Sequence, residues 1–235
     1  MSRSLIGWIV AAVLAVGGAA LAWVYFAGGS GEPSTELTTP DIAGETTIAA
    51  GSGTANPVFV IDPTQSLATF EIDEELSGSP NHVVGTTNVV AGQVQVDPSD
   101  LSTVQFSQII INGRTLATDS SFRDRAIRGP IMLNSAVDEF ELITFDVTSV
   151  DGLSGSASPG DTVEFTLTGH LTVRGTTNEE TFEVTVTLAD ESTLTGIAET
   201  IVLRSDYGIA IPNVPRVANV SDEVLIRLEF VAISG

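Results

Sequence analysis

The chain has 235 residues, enough for one sizeable domain with appended segments. It contains no cysteine, which excludes disulfides and thiolate metal centres, and all nine of its basic residues are arginine, set against 30 acids. The net charge of −21 excludes nucleic acid and disfavours anionic lipid surfaces as partners, because both would repel it.

Residues 1–4 form a short start carrying Arg3. Leu5 to Ala27 is then a run of 23 residues without a charge, long enough to cross ~30 Å of hydrocarbon as a helix. Trp8 lies near one end and Trp23 and Tyr25 near the other, where amphipathic rings favour the membrane interface. With Arg3 before the run and Glu32, Glu36, Asp41 and Glu45 after it, the expected orientation places the rest of the chain outside the cytoplasm. A signal peptide cut near Gly18-Ala19-Ala20 is the competing reading, although the run is longer than a signal h-region. Both readings export the remainder, either as a single-pass protein of the cell membrane or as a secreted one.

Residues 28–57 are rich in Gly, Ser, Thr, Ala and Pro, carry four acids and lack aromatic residues. The composition predicts a flexible acidic linker with a reach of roughly 30 Å.

Period-two alternation dominates residues 58–235. Leu67, Thr69 and Glu71 oppose Ala68, Phe70 and Ile72, and Val94 and Val96 flank Gln95 before an Asp97-Pro98 turn. Runs at 145–150, 163–168, 182–188, 197–203 and 224–231 continue the series, with turn signals at Asp151-Gly152 and Arg174-Gly175. The pattern predicts an all-β fold of about eight strands, a barrel or a sandwich. One segment departs from it. Asp119 can cap a helix through Ser120 to Arg128 that Gly129-Pro130 terminates, with Phe122, Ala126 and Ile127 on one face.

Two distant histidines, His82 and His170, are too few for a metal centre. No serine sits on the strand–turn–helix elbow that nucleophilic catalysis uses, so neither an enzyme nor a cofactor is expected. Arg114, Arg123, Arg125 and Arg128 concentrate positive charge around the helix. Arg123 and Arg128 have two readings, as a clamp for a pyrophosphate or quinone headgroup or as structural pairs fixing the helix to the barrel.

Several segments together resemble the YceI-like family. They are Ile61-Asp62-Pro63 with Ser66, Gly85, Gly92 through Leu101, and Thr115-Leu116 with Thr118. Arg123-Asp124 with Arg128, Thr144-Phe145, Gly169 with Leu171 through Thr177, and Arg204 through Ile209 complete the order. The family's two histidine positions are Gln65 and Ala126 here, and its Tyr-Pro is Phe140-Glu141. The histidines are therefore lost while turn and core positions are kept. The resemblance implies an extended antiparallel lipocalin-like barrel around an apolar tunnel for an isoprenoid-type lipid. It implies Phe122, Ile127, Met132 and Leu133 as pocket residues and a storage or shuttling role, the alternative being an exported scaffold or stress-response module with a self-filled barrel.

Overall fold

A computed structural model of the protein describes residues 26–42 and 56–234. The segment 5–27 expected to span a membrane lies outside the described residues apart from its last two positions. Among the described residues no helix is long and apolar enough to cross a membrane.

Among the described residues, thirteen strands form one curled, wholly antiparallel sheet. The first seven are short or bent: β1 (Val58–Ile61), β2 (Leu67–Leu76), β3 (Ser79–Thr87), β4 (Val90–Ala91), β5 (Gln93–Gln95), β6 (Gln105–Phe106) and β7 (Ile109–Asn112). The helix α1 (Ser121–Arg128) follows. Then come β8 (Leu142–Asp151), β9 (Thr162–Val173), β10 (Thr176–Asp190), β11 (Thr193–Leu203), the two-residue β12 (Val217–Ala218) and β13 (Glu223–Ser234).

About eight strands are expected from the alternation, and the difference has a geometric cause. Three of the eight positions around the sheet are taken by chain segments that bend. β1 and β2 are one run broken at Asp62-Pro63, β3, β4 and β5 one run, and β6 and β7 another. Bending lets one run serve two neighbours: β4 pairs with β7 while β5, beyond Gly92, pairs with β1. The two ends of the sheet therefore meet in residues 90–95, giving a barrel-like curl. β13 is shared in the same way, with residues 225–229 against β2 and 232–234 against β1.

The register of β8 on β9 shifts between Val147 and Ser149. A bulge of this kind bends the strand and changes which residues point inward, here from Phe145 and Val147 to Val150. Close by, β9 carries Gly169, where a Cβ would sit 2.4 Å from the Asp146 carbonyl oxygen and against the Phe145 ring. Only glycine lets the two backbones approach there.

The chain gives the sheet two distinct ends. The 113–115 turn, α1, the β9–β10 turn and residues 204–222 gather at one, the helix end. The turns at 97–103, 151–161 and 190–193 gather at the other, while 62–65 sits part-way along the sheet, bonded to Val231 and beside Thr86, Thr87 and Thr115. At the helix end Ser120, not Asp119, caps α1: its Oγ accepts from the Arg123 amide, while the Asp119 carboxylate pairs with the Arg123 guanidinium. The cap moves one residue because Asp119 has a stronger, charged partner one turn on.

The segment expected to be a flexible linker is described over 28–42, where it lies against the domain. The Gly28 carbonyl accepts from Arg128 Nε at 2.9 Å, and a Cβ on Gly28 would fall 2.1 Å from the Arg125 carbonyl oxygen. Further along, the Pro40 carbonyl accepts from Gln93 Nε2 at 2.9 Å, and Ile42 is buried.

Candidate functional site

The inward row of each long strand is apolar, as half-buried antiparallel strands require. On β9 it is Phe165, Leu167, Leu171 and Val173; on β10 it is Phe182, Val184, Val186 and Leu188. Phe145 and Phe182 meet edge to face with ring centroids 4.8 Å apart. These rows do not close on one another. Buried residues fall into two clusters, one around Phe165, Val184 and Tyr207 and the other around Phe59, Ala68 and Ala232. Both clusters line a shared cavity of about 290 Å³.

Almost nothing polar faces this space. Among the lining residues only Asp161 and Arg204 carry charge. Arg204 is spoken for: its Nε donates to the Ser221 carbonyl and its Nη1 to the Ile209 carbonyl, both at 2.9 Å, with Asp222 at 3.7 Å. Tyr207, 1% exposed, donates its hydroxyl to Glu180 Oε1 at 2.8 Å. Burial, and then the Glu180 carboxylate, push that phenol well above its ordinary range. A cavity with so few donors and acceptors cannot hold water well, whereas an apolar guest fits it.

Of the four pocket residues expected from sequence, Ile127, Met132 and Leu133 line the cavity and Phe122 does not. Five residues separate Phe122 from Ile127, about 140° around a helix, so both cannot point inward. Neither arginine singled out from sequence lines the cavity. Arg123 pairs with Asp119 and, at 3.2 Å, with Glu74, and Arg128 donates to the Gly28 carbonyl. His82 sits on the outer face between Asp73 Oδ1 at 2.7 Å and Glu71 Oε2 at 3.0 Å, and His170 is exposed on β9. No group of three or more metal-ligating side chains occurs among the described residues.

Sequence reasoning missed the helix-end rim of the cavity, its candidate mouth. Arg174, with a φ of +54°, donates Nη1 to the Ile131 and Gly208 carbonyls, each at 3.0 Å, and Nη2 to the Pro130 carbonyl at 2.7 Å. It thereby ties the loop after α1 and the loop after Tyr207, which carry Met132, Leu133, Ile209 and Ile211, to the β9–β10 turn. A three-carbonyl latch leaves no sequence signal beyond a turn arginine before glycine.

Beside the mouth lies a buried polar cluster that also escaped notice. Glu141, 3% exposed, accepts from the Ser34 amide at 2.9 Å, the Ser34 hydroxyl and Asn112 Nδ2 at 2.7 Å, and pairs with Arg114 Nη1 at 3.2 Å. Burial alone would raise the Glu141 carboxyl, but Ser34, Asn112 and Arg114 outweigh it and hold it below its ordinary 4.5. A carboxylate held low contributes stability that is complete above its unfolded value and lost as pH falls through the lower folded one. Docking of residues 28–42 should therefore be complete above the carboxyl's ordinary value of 4.5 and loosen progressively as pH falls below it. Hydrogen exchange of the Ser34 amide, corrected for intrinsic rate, should show protection lost over that window, and Glu141→Gln should remove the pH dependence. Unchanged protection down to pH 2 would refute it.

Comparison with known proteins agrees with this architecture. Residues 59–232 match the YceI-like domain. UPF0312 proteins of Staphylococcus aureus are similar over 157 residues, covering 64% of this chain and 81% of theirs: 29% identical in strain N315 and 30% in strain bovine RF122 / ET3-1. Among solved structures, BcnA of Burkholderia cenocepacia superposes with a TM-score of 0.55 at 20% identity, over 73% of this chain and 98% of BcnA. A polyisoprenoid binding domain from Saccharophagus degradans, implicated in plant cell wall breakdown, gives a TM-score of 0.58 at 12% identity, over 77% and 99%. At such identities the structures show a shared fold, and the match over 59–232 places the chain in the YceI-like family.

Proposed function

We propose that this protein is a membrane-anchored, extracytoplasmic binding protein for an apolar isoprenoid-type lipid, which it stores or shuttles without making or breaking bonds. The observation that carries the reading is the cavity of about 290 Å³, whose lining is predominantly apolar and carries charge only at Asp161 and an already partnered Arg204. A branched hydrocarbon gains about 0.8 kcal/mol for each carbon it buries there, with no polar chemistry needed. The fold neighbour from Saccharophagus degradans described as a polyisoprenoid binding domain points the same way. Ile127, Met132 and Leu133 would contact the guest near the mouth. Anchoring would be through the uncharged run 5–27, with Arg3 on the cytoplasmic side.

Native mass spectrometry of the full chain, released from micelles after incubation with polyprenyl alcohols or quinones, tests this. A 1:1 adduct that survives release is expected. Failure of both lipid classes to bind would favour an exported scaffold whose cavity serves no guest.

A further inference from the structure

We propose that the helix end of the sheet faces the bilayer, so that the end of the cavity lined by Ile127, Met132, Leu133, Ile209 and Ile211 lies against the membrane. The inference rests on the anchored reading above and deepens it by giving the domain an orientation and a lipid surface as partner.

The first observation is where the chain enters. Gly28 is packed against the Arg125 carbonyl and bonded to Arg128, so the residue after the uncharged run already touches α1. Ser34 on Glu141 and Pro40 on Gln93 then hold the segment along the domain. A span ending at Ala27 would thus set α1 at the membrane surface, with no free tether between them.

Charge distribution agrees. Of the eight arginines beyond Arg3, only Arg227 lies mid-sheet, and the other seven sit in or beside the 113–115 turn, α1, the β9–β10 turn and residues 204–222, where Asp119, Asp124, Asp138, Glu139, Glu141, Asp206 and Asp222 balance them to near neutrality. The opposite-end turns at 97–103, 151–161 and 190–193 carry six acids and no arginine. β10 alone has 15 residues, about 50 Å of strand, against a screening length of about 8 Å in physiological salt. Net charge therefore does not decide docking, because a surface at one end does not feel acids at the other.

The third observation is chemical. Residues 208–221 run for 14 positions with one arginine and no acid in a chain of charge −21. Ile209 and Ile211 of this loop line the cavity while Ala210, Pro215, Arg216 and Ala218 are exposed. Around the same end Leu76, Val137, Leu142, Ile201 and Leu203 are exposed as well. An apolar rim with scattered arginines is the composition that settles into the headgroup boundary.

The absence of cysteine supplies a clean background for the test. Single-cysteine full chains, Ala218→Cys at the helix end and Ser156→Cys at the opposite end, are labelled with an environment-sensitive fluorophore and reconstituted into phosphatidylcholine vesicles containing headgroup-region nitroxide lipid. Pro215→Cys and Glu191→Cys repeat the comparison should either first variant misfold. Emission from the helix-end label should fall to about half or less, as for a group within ~10 Å of the interface, while the opposite-end label is unchanged. Vesicle flotation of the same samples separates the two ideas. A chain that fails to float removes the anchored reading and the orientation with it. A chain that floats with both labels equally quenched, or with Ser156→Cys quenched more, leaves the anchor intact and overturns the orientation.

Discussion

Arg114→Ala should cost about 3–5 kcal/mol of stability, the largest loss expected from any single polar substitution in this protein. Arg114 is 8% exposed, and its Nε donates to the Ser135 carbonyl at 2.6 Å. Nη2 reaches the Ala136 carbonyl at 3.3 Å and Asp138 at 2.7 Å, and Nη1 faces Glu141 at 3.2 Å. Truncation would leave the Glu141 carboxylate buried without its counter-charge and the Ser135 carbonyl without its donor. Urea unfolding followed by circular dichroism reads the loss as a lower midpoint. The double variant Arg114→Leu/Glu141→Leu should recover much of it, since most of the cost comes from the unpaired charge. Ser135→Ala is the contrast: its Oγ is fully buried and has no partner, so removing it should be neutral or slightly stabilising. A loss below about 1 kcal/mol for Arg114→Ala would mean that the cluster is hydrated in solution.

Ala198→Phe should separate stability from binding in a way that only a hollow barrel allows. Ala198 points into the cavity from β11, opposite Val184 on β10 and Leu228 on β13. A phenyl ring there occupies about the space of one five-carbon isoprene unit. Excluding that unit removes about 4 kcal/mol of guest burial at about 0.8 kcal/mol per carbon. That is close to a thousandfold weaker binding at 1.4 kcal/mol per tenfold. The ligand-free protein should meanwhile hold or gain stability, because the ring fills empty apolar space without displacing a neighbour. In a well-packed core the same substitution would overpack and cost about 1–3 kcal/mol. Thermal unfolding without lipid, paired with a lipid titration, gives both readings. A drop in stability of that size would argue that the cavity closes in solution.

Much of the sheet was legible from sequence because its inward face buries apolar rows and its outward face does not. Runs such as 182–188 alternate for that reason, and the Asp151-Gly152 and Arg174-Gly175 turns separate strands where expected. Helical spacing and Gly129-Pro130 marked α1 for equally local reasons. What escaped was set by partners far along the chain. Nothing in the composition of residues 28–42 signals order, because their docking depends on Glu141, Arg128 and Gln93. Glu141 itself stands where the family pattern carries proline, and it reads as a surface acid until Arg114 and Asn112 are brought around it. Phe122 lies off the cavity lining, and periodicity could not show this because it names a face of the helix without saying which face meets the cavity.

The sharing of β13 among three partners has a consequence for how the chain reaches its native state. The strand pairs with β11, β1 and β2, joining Phe59 to Ser234 across most of the described sequence. β2 can meet β3 and β1 can meet β5 early, but both complete their pairing only after residues 223–234 exist, so synthesis must nearly finish before the sheet can close. Topologies dominated by such distant pairings fold in milliseconds to seconds, not microseconds. Throughout that interval the β9–β10 hairpin, whose contacts are local, would already present Phe165, Leu167, Phe182 and Val184 to neighbouring chains. The excess of acids, spread along the whole sequence, then serves as a kinetic safeguard: chains repel one another while their apolar rows wait for the last strand.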